Sequence, residues 1–292
     1  MTRRTGIIGF PLGHSISPAF QQAAFDELGL DCSYERWPTP SDELMMRIQG
    51  LKSPEILGAN VTVPYKQAVI GLVDRVDPVA LRIGAINTVV RQEDGTLHGH
   101  NTDAEGFMRS LSFDGGFDPA GCSAVILGAG GAARAVAFGL ADAGIERITI
   151  LNRTEEKATK LADAVARATS VRVIGARLGE GSTFERGSPP DLIVQCTSLG
   201  MSGGPDEGRA PDISGLISHG TLVCDLVYNP IETPLLRLAA ERGARTLGGL
   251  GMLVHQGAAA FTLWTGREAP TGVMERAARG ALQSSTDWRN TD

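Results

Sequence analysis

The chain has 292 residues, 42% of them hydrophobic, which is enough to fill two cores of ordinary domain size. Its 27 basic and 33 acidic residues give a net charge of −6 with no basic cluster, so nucleic acid is not an expected partner. No stretch approaches the run of apolar residues that spans a bilayer, the first residues lack a signal-peptide pattern, and the four cysteines form no CxxC pair. The expectations are a cytoplasmic location, no membrane partner, no disulfide framework and no metal site.

In chain order, TGIIGF, SPAFQQAAFDELG, CSYERWP, SDELMMRIQGL and GANVTVP alternate strand and helix signals. Pro18 after Ser17, and Asp42 with Glu43 after Ser41, predict helix starts, because proline fits the first turn and acids suit the positive end of the dipole. A cluster of Gly, Asp and Pro at 113–121 reads as a linker or surface turn. Beyond it come SAVILG, a helix predicted over Gly131 to Ala143, ITILNR, a helix predicted over Thr154 to Arg167, and the runs VRVIGA, DLIVQC and LVCDLVY. Apolar strands that do not alternate, separated by helices, are what a parallel sheet covered on both faces requires. The segment 199–212 is too rich in Gly and Pro for regular structure and follows a strand end, where loops line cofactor clefts. Two helical patterns close the chain, LGMLVHQGAAAFTLWTG and VMERAARGAL.

The fold class expected is therefore α/β. An N-terminal α/β substrate domain covers 1–104 and is joined by C-terminal helices within 250–292, and a doubly wound Rossmann domain covers 105–249.

The turn Gly128, Ala129, Gly130, Gly131, Ala132, Ala133 has the form GxGxxA between a strand and a helix. Its glycines let the backbone approach a pyrophosphate, whose charge sits at the helix N-terminus. At the end of the next strand, where an NAD site wants an acid, the chain carries Asn152, Arg153 and Thr154. A guanidinium there binds a 2′-phosphate that a carboxylate would repel, which favours NADP.

On the substrate side, Lys66, Asn87 and Asp103 fall at three strand ends. Oxidising a secondary alcohol requires a proton to leave oxygen as hydride leaves carbon, and a lysine beside a carboxylate can carry it. Asp103 read alone could be only the N-cap of the helix that follows it. Ser15 and Ser17 alternate along GHSISP and could face one ligand carboxylate, while Ser17 could equally cap the helix begun by Pro18. Thr62 is expected on the same strand face as Asn60 and Pro64. His14, His100 and His255 have no partner at metal or triad spacing and read as structural.

Taken together, GFPLGHSISP, GANVTVPYK, GAINTVV, GHNTDAEGF, GAGGAARA, NRT, QCTSLGM, DLVYNP and GLGMLVHQGAAAFTLWTG resemble the shikimate dehydrogenase family, from about Gly9 to Met274. The resemblance implies reduction of 3-dehydroshikimate to shikimate with NADPH in the aromatic amino-acid pathway, by a monomer or homodimer. It implies that Ser15, Ser17 and Tyr228 hold the substrate carboxylate, that Thr62, Asn87, Asp103 and Gln256 hold ring hydroxyls, and that Lys66 is the acid/base. It also adds Leu226 and Gly249 to the NADP site. Gln21, Gln22, Gln195 and Cys196 depart from the family's commoner residues, at places expected to touch helix packing and cleft lining. A quinate or aminoshikimate dehydrogenase preferring NAD is the alternative, and Arg153 and the serines of SIS speak against it.

Overall fold

The computed structural model describes residues 2–13, 15–179 and 189–287. His14 lies outside the described residues. The chain divides into unit 1, formed by Met1–Gly106 with Val254–Asp292, and unit 2, formed by Phe107–Leu253.

Unit 1 begins with strand β1 (Arg3–Gly9), helix α1 (Ser17–Glu27), β2 (Cys32–Pro38), α2 (Leu44–Gly50) and β3 (Ile56–Val61). It continues through β4 (Arg75–Val76), α3 (Pro78–Ile83), β5 (Thr88–Arg91), β6 (Leu97–His100) and the start of α4 (Asp103–Arg109). The sheet order is β2-β1-β3-β5-β6-β4. β1 pairs in parallel with β2 and β3, while β5 runs antiparallel to both β3 and β6. One face, carrying Ile8, Trp37, Ala59, Val61 and Val89, packs on Leu44 and Ile48 of α2. At the edge of this sheet Glu35 accepts both Arg4 Nε and Arg4 Nη2, at 2.9 and 2.7 Å. That guanidinium, with Trp37 and Ser33 as further donors, holds the carboxyl at about 2.

The predicted start of α2 at Ser41 is corrected. Residues 41–43 form a turn and the helix begins at Leu44, with no side-chain cap at Glu43.

Unit 2 contains β7 (Ser123–Leu127), α5 (Gly131–Asp142), β8 (Arg147–Asn152), α6 (Glu155–Ala168), β9 (Arg172–Arg177) and β10 (Leu192–Gln195). β11 (Leu222–Asp225), α7 (Pro234–Glu241) and β12 (Arg245–Gly248) follow. All six strands pair in parallel in the order β12-β11-β10-β7-β8-β9, the doubly wound arrangement expected from their unbroken apolar runs. β7 and β10 are neighbours, so the order reverses between them and the crevice beyond their carboxyl ends is the ligand position of such sheets. A single π-helical turn, Ser110–Asp114, continues α4 and has no counterpart in the expectations from sequence.

The last helices are α8 (Leu250–Thr265) and α9 (Thr271–Asp287). From Val254 onward they belong to unit 1. Trp264 Nε1 donates to the Val89 carbonyl at 3.0 Å, Gln21 Nε2 donates to the Gly257 carbonyl at 2.9 Å, and the rings of Phe25 and Phe261 lie 4.9 Å apart. These contacts cover the second face of the unit 1 sheet. No helix among the described residues is long and apolar enough to cross a membrane.

Candidate active site

Four of the residues singled out in the sequence meet in unit 1. Lys66 lies in the turn after β3, where its carbonyl accepts from Ile86 N at 2.7 Å. Its Nζ reaches Asp103 Oδ2 at 2.6 Å, with the two side chains only 16% and 5% exposed. Asn87, immediately before β5, donates Nδ2 to Asp103 Oδ1 at 2.8 Å and to Gln256 Oε1 at 3.3 Å. Its Oδ1 accepts the Thr102 amide at 2.7 Å. A buried ion pair of this kind persists where its remaining lone pairs and protons are satisfied, and Asn87 Nδ2 contributes to this at Asp103 Oδ1.

The capping reading of Asp103 does not hold, because Asn101 Oδ1 takes the Ala104 amide at 3.2 Å and leaves the Asp103 carboxylate to Lys66 and Asn87. Ser17 is likewise not the cap: it is the first residue of α1, the helix has no side-chain cap, and Ser15 Oγ lies 3.4 Å from the Ser17 amide. Arg36 fixes the same loop by donating Nη2 to the Ser15 carbonyl at 2.7 Å. β3 stops at Val61, so Thr62 stands one residue beyond the strand and begins the following turn, donating its amide to Ile8 O at 2.8 Å.

Sequence reasoning gave no role to Tyr34, Thr88 or Thr102, and saw Asn60 only as a marker of strand face, yet all four are buried beside these groups. For Asn60 and Thr88 the signal available was polar residues inside otherwise apolar strand strings, NVT and INT.

Unit 2 carries the other set. Gly128 follows β7 with φ +109°, a conformation that side chains other than glycine rarely adopt. A Cβ there would also lie 3.0 Å from Thr197 Cγ2, at the end of β10. Gly130 is the N-cap of α5 and has no side-chain cap, so no capping side chain takes the amides of Gly131, Ala132 and Ala133 in the first turn. Ala129 completes the turn. Asn152 ends β8 and donates Nδ2 to the Thr154 carbonyl at 2.9 Å, leaving Arg153 exposed between them. A Cβ on Gly249 would fall on the Leu226 carbonyl, so these two segments approach as only glycine permits. Tyr228 lies in unit 2, half-buried in the segment after β11.

Asp225, fully buried at the end of β11, accepts Thr233 Oγ1 at 2.6 Å and Val227 N at 3.0 Å. Burial pushes its carboxyl up to about 6 in spite of those donors. Beside it in the sheet, Gln195 is fully buried with its Nε2 unpartnered, and in unit 1 Gln21 has an unpartnered Oε1.

A Rossmann sheet with a glycine-rich turn at the head of a helix, joined in one chain to an α/β unit holding a buried lysine–carboxylate pair, is the make-up of a dinucleotide-dependent dehydrogenase. Residues 7–89 match the shikimate dehydrogenase substrate binding domain, 115–179 match shikimate/quinate 5-dehydrogenase, and 249–279 match the shikimate 5′-dehydrogenase C-terminal domain. Shikimate dehydrogenase (NADP(+)) of Moorella thermoacetica is 49% identical over 285 residues, covering 98% of this chain and 95% of that protein. The crystal structure of shikimate 5-dehydrogenase from Thermus thermophilus in complex with NADP(H) and shikimate is similar at a TM-score of 0.84 and 40% identity, covering 96% of this chain and 100% of that one. Quinate dehydrogenase from Corynebacterium glutamicum in complex with NAD reaches a TM-score of 0.85 at 32% identity, covering 96% and 99%. The chain belongs to the shikimate dehydrogenase family.

Proposed function

We propose that the chain is an NADP-dependent shikimate dehydrogenase, reversibly reducing 3-dehydroshikimate to shikimate in the chorismate and aromatic amino-acid pathway. The observation that carries this reading is the buried Lys66–Asp103 pair, 2.6 Å apart and tied through Asn87 to Gln256. In this assignment Lys66 passes a proton to or from the reacting oxygen, and Asp103 orients Lys66 and accepts from a neighbouring ring hydroxyl. Asn87, Gln256 and Thr62 hold further hydroxyls, and Ser15, Ser17 and Tyr228 hold the carboxylate.

NADPH supplies the hydride. The turn from Gly128 to Ala133 offers backbone amides to its pyrophosphate, Asn152, Arg153 and Thr154 receive the 2′-phosphate, and Leu226 and Gly249 contribute backbone. Residues 1–104 with the helices of 250–292 serve as the substrate domain and 105–249 as the NADP domain, in a cytoplasmic monomer or homodimer.

The alternative is a quinate or aminoshikimate dehydrogenase using NAD, the pairing of quinate and NAD that the Corynebacterium relative carries in its name. Initial rates for shikimate and quinate, each with NADP and NAD, separate the two. Shikimate with NADP is expected to give the highest kcat/KM, and a higher value for quinate with NAD would overturn the assignment.

A further inference from the structure

A run of buried hydrogen bonds joins the two ends of the candidate site within unit 1, and three of its members, Tyr34, Asn60 and Thr88, belong to neither end. Tyr34, on β2, is 6% exposed; its hydroxyl donates to Asn60 Oδ1 at 2.7 Å and lies within hydrogen-bond reach of the Ser17 side chain. A carbonyl oxygen only accepts, so the phenol proton points at Asn60. Burial raises that phenol far above its ordinary range, which keeps the proton in place.

Asn60 stands directly opposite Thr88 across the antiparallel pair of β3 and β5. Its Nδ2 donates to Thr88 Oγ1 at 3.2 Å. Thr88, fully buried, lies with Oγ1 3.1 Å from Asn87 Oδ1, and Asn87 Nδ2 in turn meets Asp103 Oδ1. The path from Ser17 to Lys66 is therefore continuous.

Its purpose follows from the two carboxamides in it. An Asn side chain turned by 180° exchanges its oxygen and nitrogen with almost no change of shape. If Asn87 turned over, its oxygen would face the Asp103 carboxylate and an attraction would become a repulsion. The donors at Asn87 Oδ1 oppose that: the Thr102 amide, the Thr102 hydroxyl and the Thr88 hydroxyl. For Asn60 the corresponding donor is Tyr34.

We propose that Tyr34 and Thr88 are positioning residues for the reaction, their hydroxyls setting the Asn60 and Asn87 carboxamides and, through them, the spacing between Ser17 and the Lys66–Asp103 pair. This rests on the acid/base reading of that pair given above. Neither residue touches a reacting atom.

The test is steady-state kinetics of the full-length chain with NADP and shikimate, for Thr88→Val, Thr88→Ser, Tyr34→Phe and Lys66→Met. Thr88→Val removes one hydroxyl at nearly constant volume; kcat is expected to fall about tenfold, with KM for shikimate changed less than about twofold. Thr88→Ser, which restores the hydroxyl, should return kcat to within about threefold of the parent. Tyr34→Phe should act mainly at the Ser17 end, raising KM for shikimate several-fold. A merely structural threonine would lower the melting temperature and leave kcat alone, so a parental kcat in Thr88→Val overturns the proposal, as does a serine variant as impaired as the valine one. Should Thr88→Val not fold, Tyr34→Phe decides, and parental kinetics there overturn the proposal. Lys66→Met keeps the two levels apart. If it is inactive while Thr88→Val is not impaired, only the positioning role fails; if it keeps the parental kcat, the acid/base reading fails and the proposal with it.

Discussion

Replacing Lys66 with Met keeps a stem of the same number of heavy atoms and removes its ammonium, and the structure sets two separate consequences. In the folded state Asp103, 5% exposed, loses its 2.6 Å partner at Oδ2 and keeps the Asn87 donor at Oδ1. Breaking a buried pair from one side costs roughly 3–5 kcal/mol, and the surviving amide places this case near the lower end, about 3 kcal/mol. In the reaction, loss of a general acid/base costs about 3–5 kcal/mol of barrier, or roughly a hundred- to ten-thousandfold in kcat. KM for shikimate is expected to move little, because the groups proposed to hold its carboxylate are untouched. Urea unfolding near neutral pH reads the first quantity, and initial rates at saturating NADP read the second. A variant that keeps the parental kcat and only raises KM would show that the lysine binds substrate and that the proton travels by another group or by water.

Two further outcomes are expected. Arg153→Ala should lose about ten- to a hundredfold of the preference for NADP over NAD, since a charge-assisted hydrogen bond contributes roughly 1.5–3 kcal/mol; an unchanged ratio of kcat/KM for the two cofactors rejects that assignment. Asp225 gives a pH dependence with a definite sign. Its folded carboxyl titrates at about 6 against 3.8 ordinarily, so the folded chain holds the proton more tightly than the unfolded one, and stability falls as pH rises from near 4 to above 6. That difference in proton affinity corresponds to about 3 kcal/mol at a fully buried group. Asp225→Asn should remove that decline, so the stability difference between parent and variant must change by about this amount between pH 4 and pH 7, measured by urea unfolding without ligands. A difference independent of pH refutes the burial argument.

Much of the fold and of the candidate site was legible in the string alone. The glycine turn after β7 is local, and Gly128 holds a conformation that side chains other than glycine rarely adopt, so the turn is announced directly in the string. The parallel sheet of unit 2 follows from strands that are apolar on both faces, as a sheet covered on both sides must be. Lys66, Asn87, Asp103 and Gln256 were recognised through motifs spread over most of the chain, and each of them taken singly has an ordinary structural reading.

What the string could not decide was which of two local roles a side chain takes. Ser17 and Asp103 both stand where helices begin, and both could have been caps. The fold gives capping beside Asp103 to Asn101 and turns Asp103 to a lysine 37 residues earlier in the chain. Tyr34 and Thr88 went unnoticed for a related reason: a polar residue in a strand reads as a solvent face until the sheet's neighbours are known. Here β3 and β5 run antiparallel with Asn60 facing Thr88, and α8 covers that face, so hydroxyls and amides that would otherwise meet water are buried together and must pair with one another. Composition, period and turn chemistry act over a few residues and are written in the sequence. The pairing of buried polar groups acts across tens or hundreds of residues, and only tertiary structure decides it, because an unpaired buried group costs more than any local preference supplies.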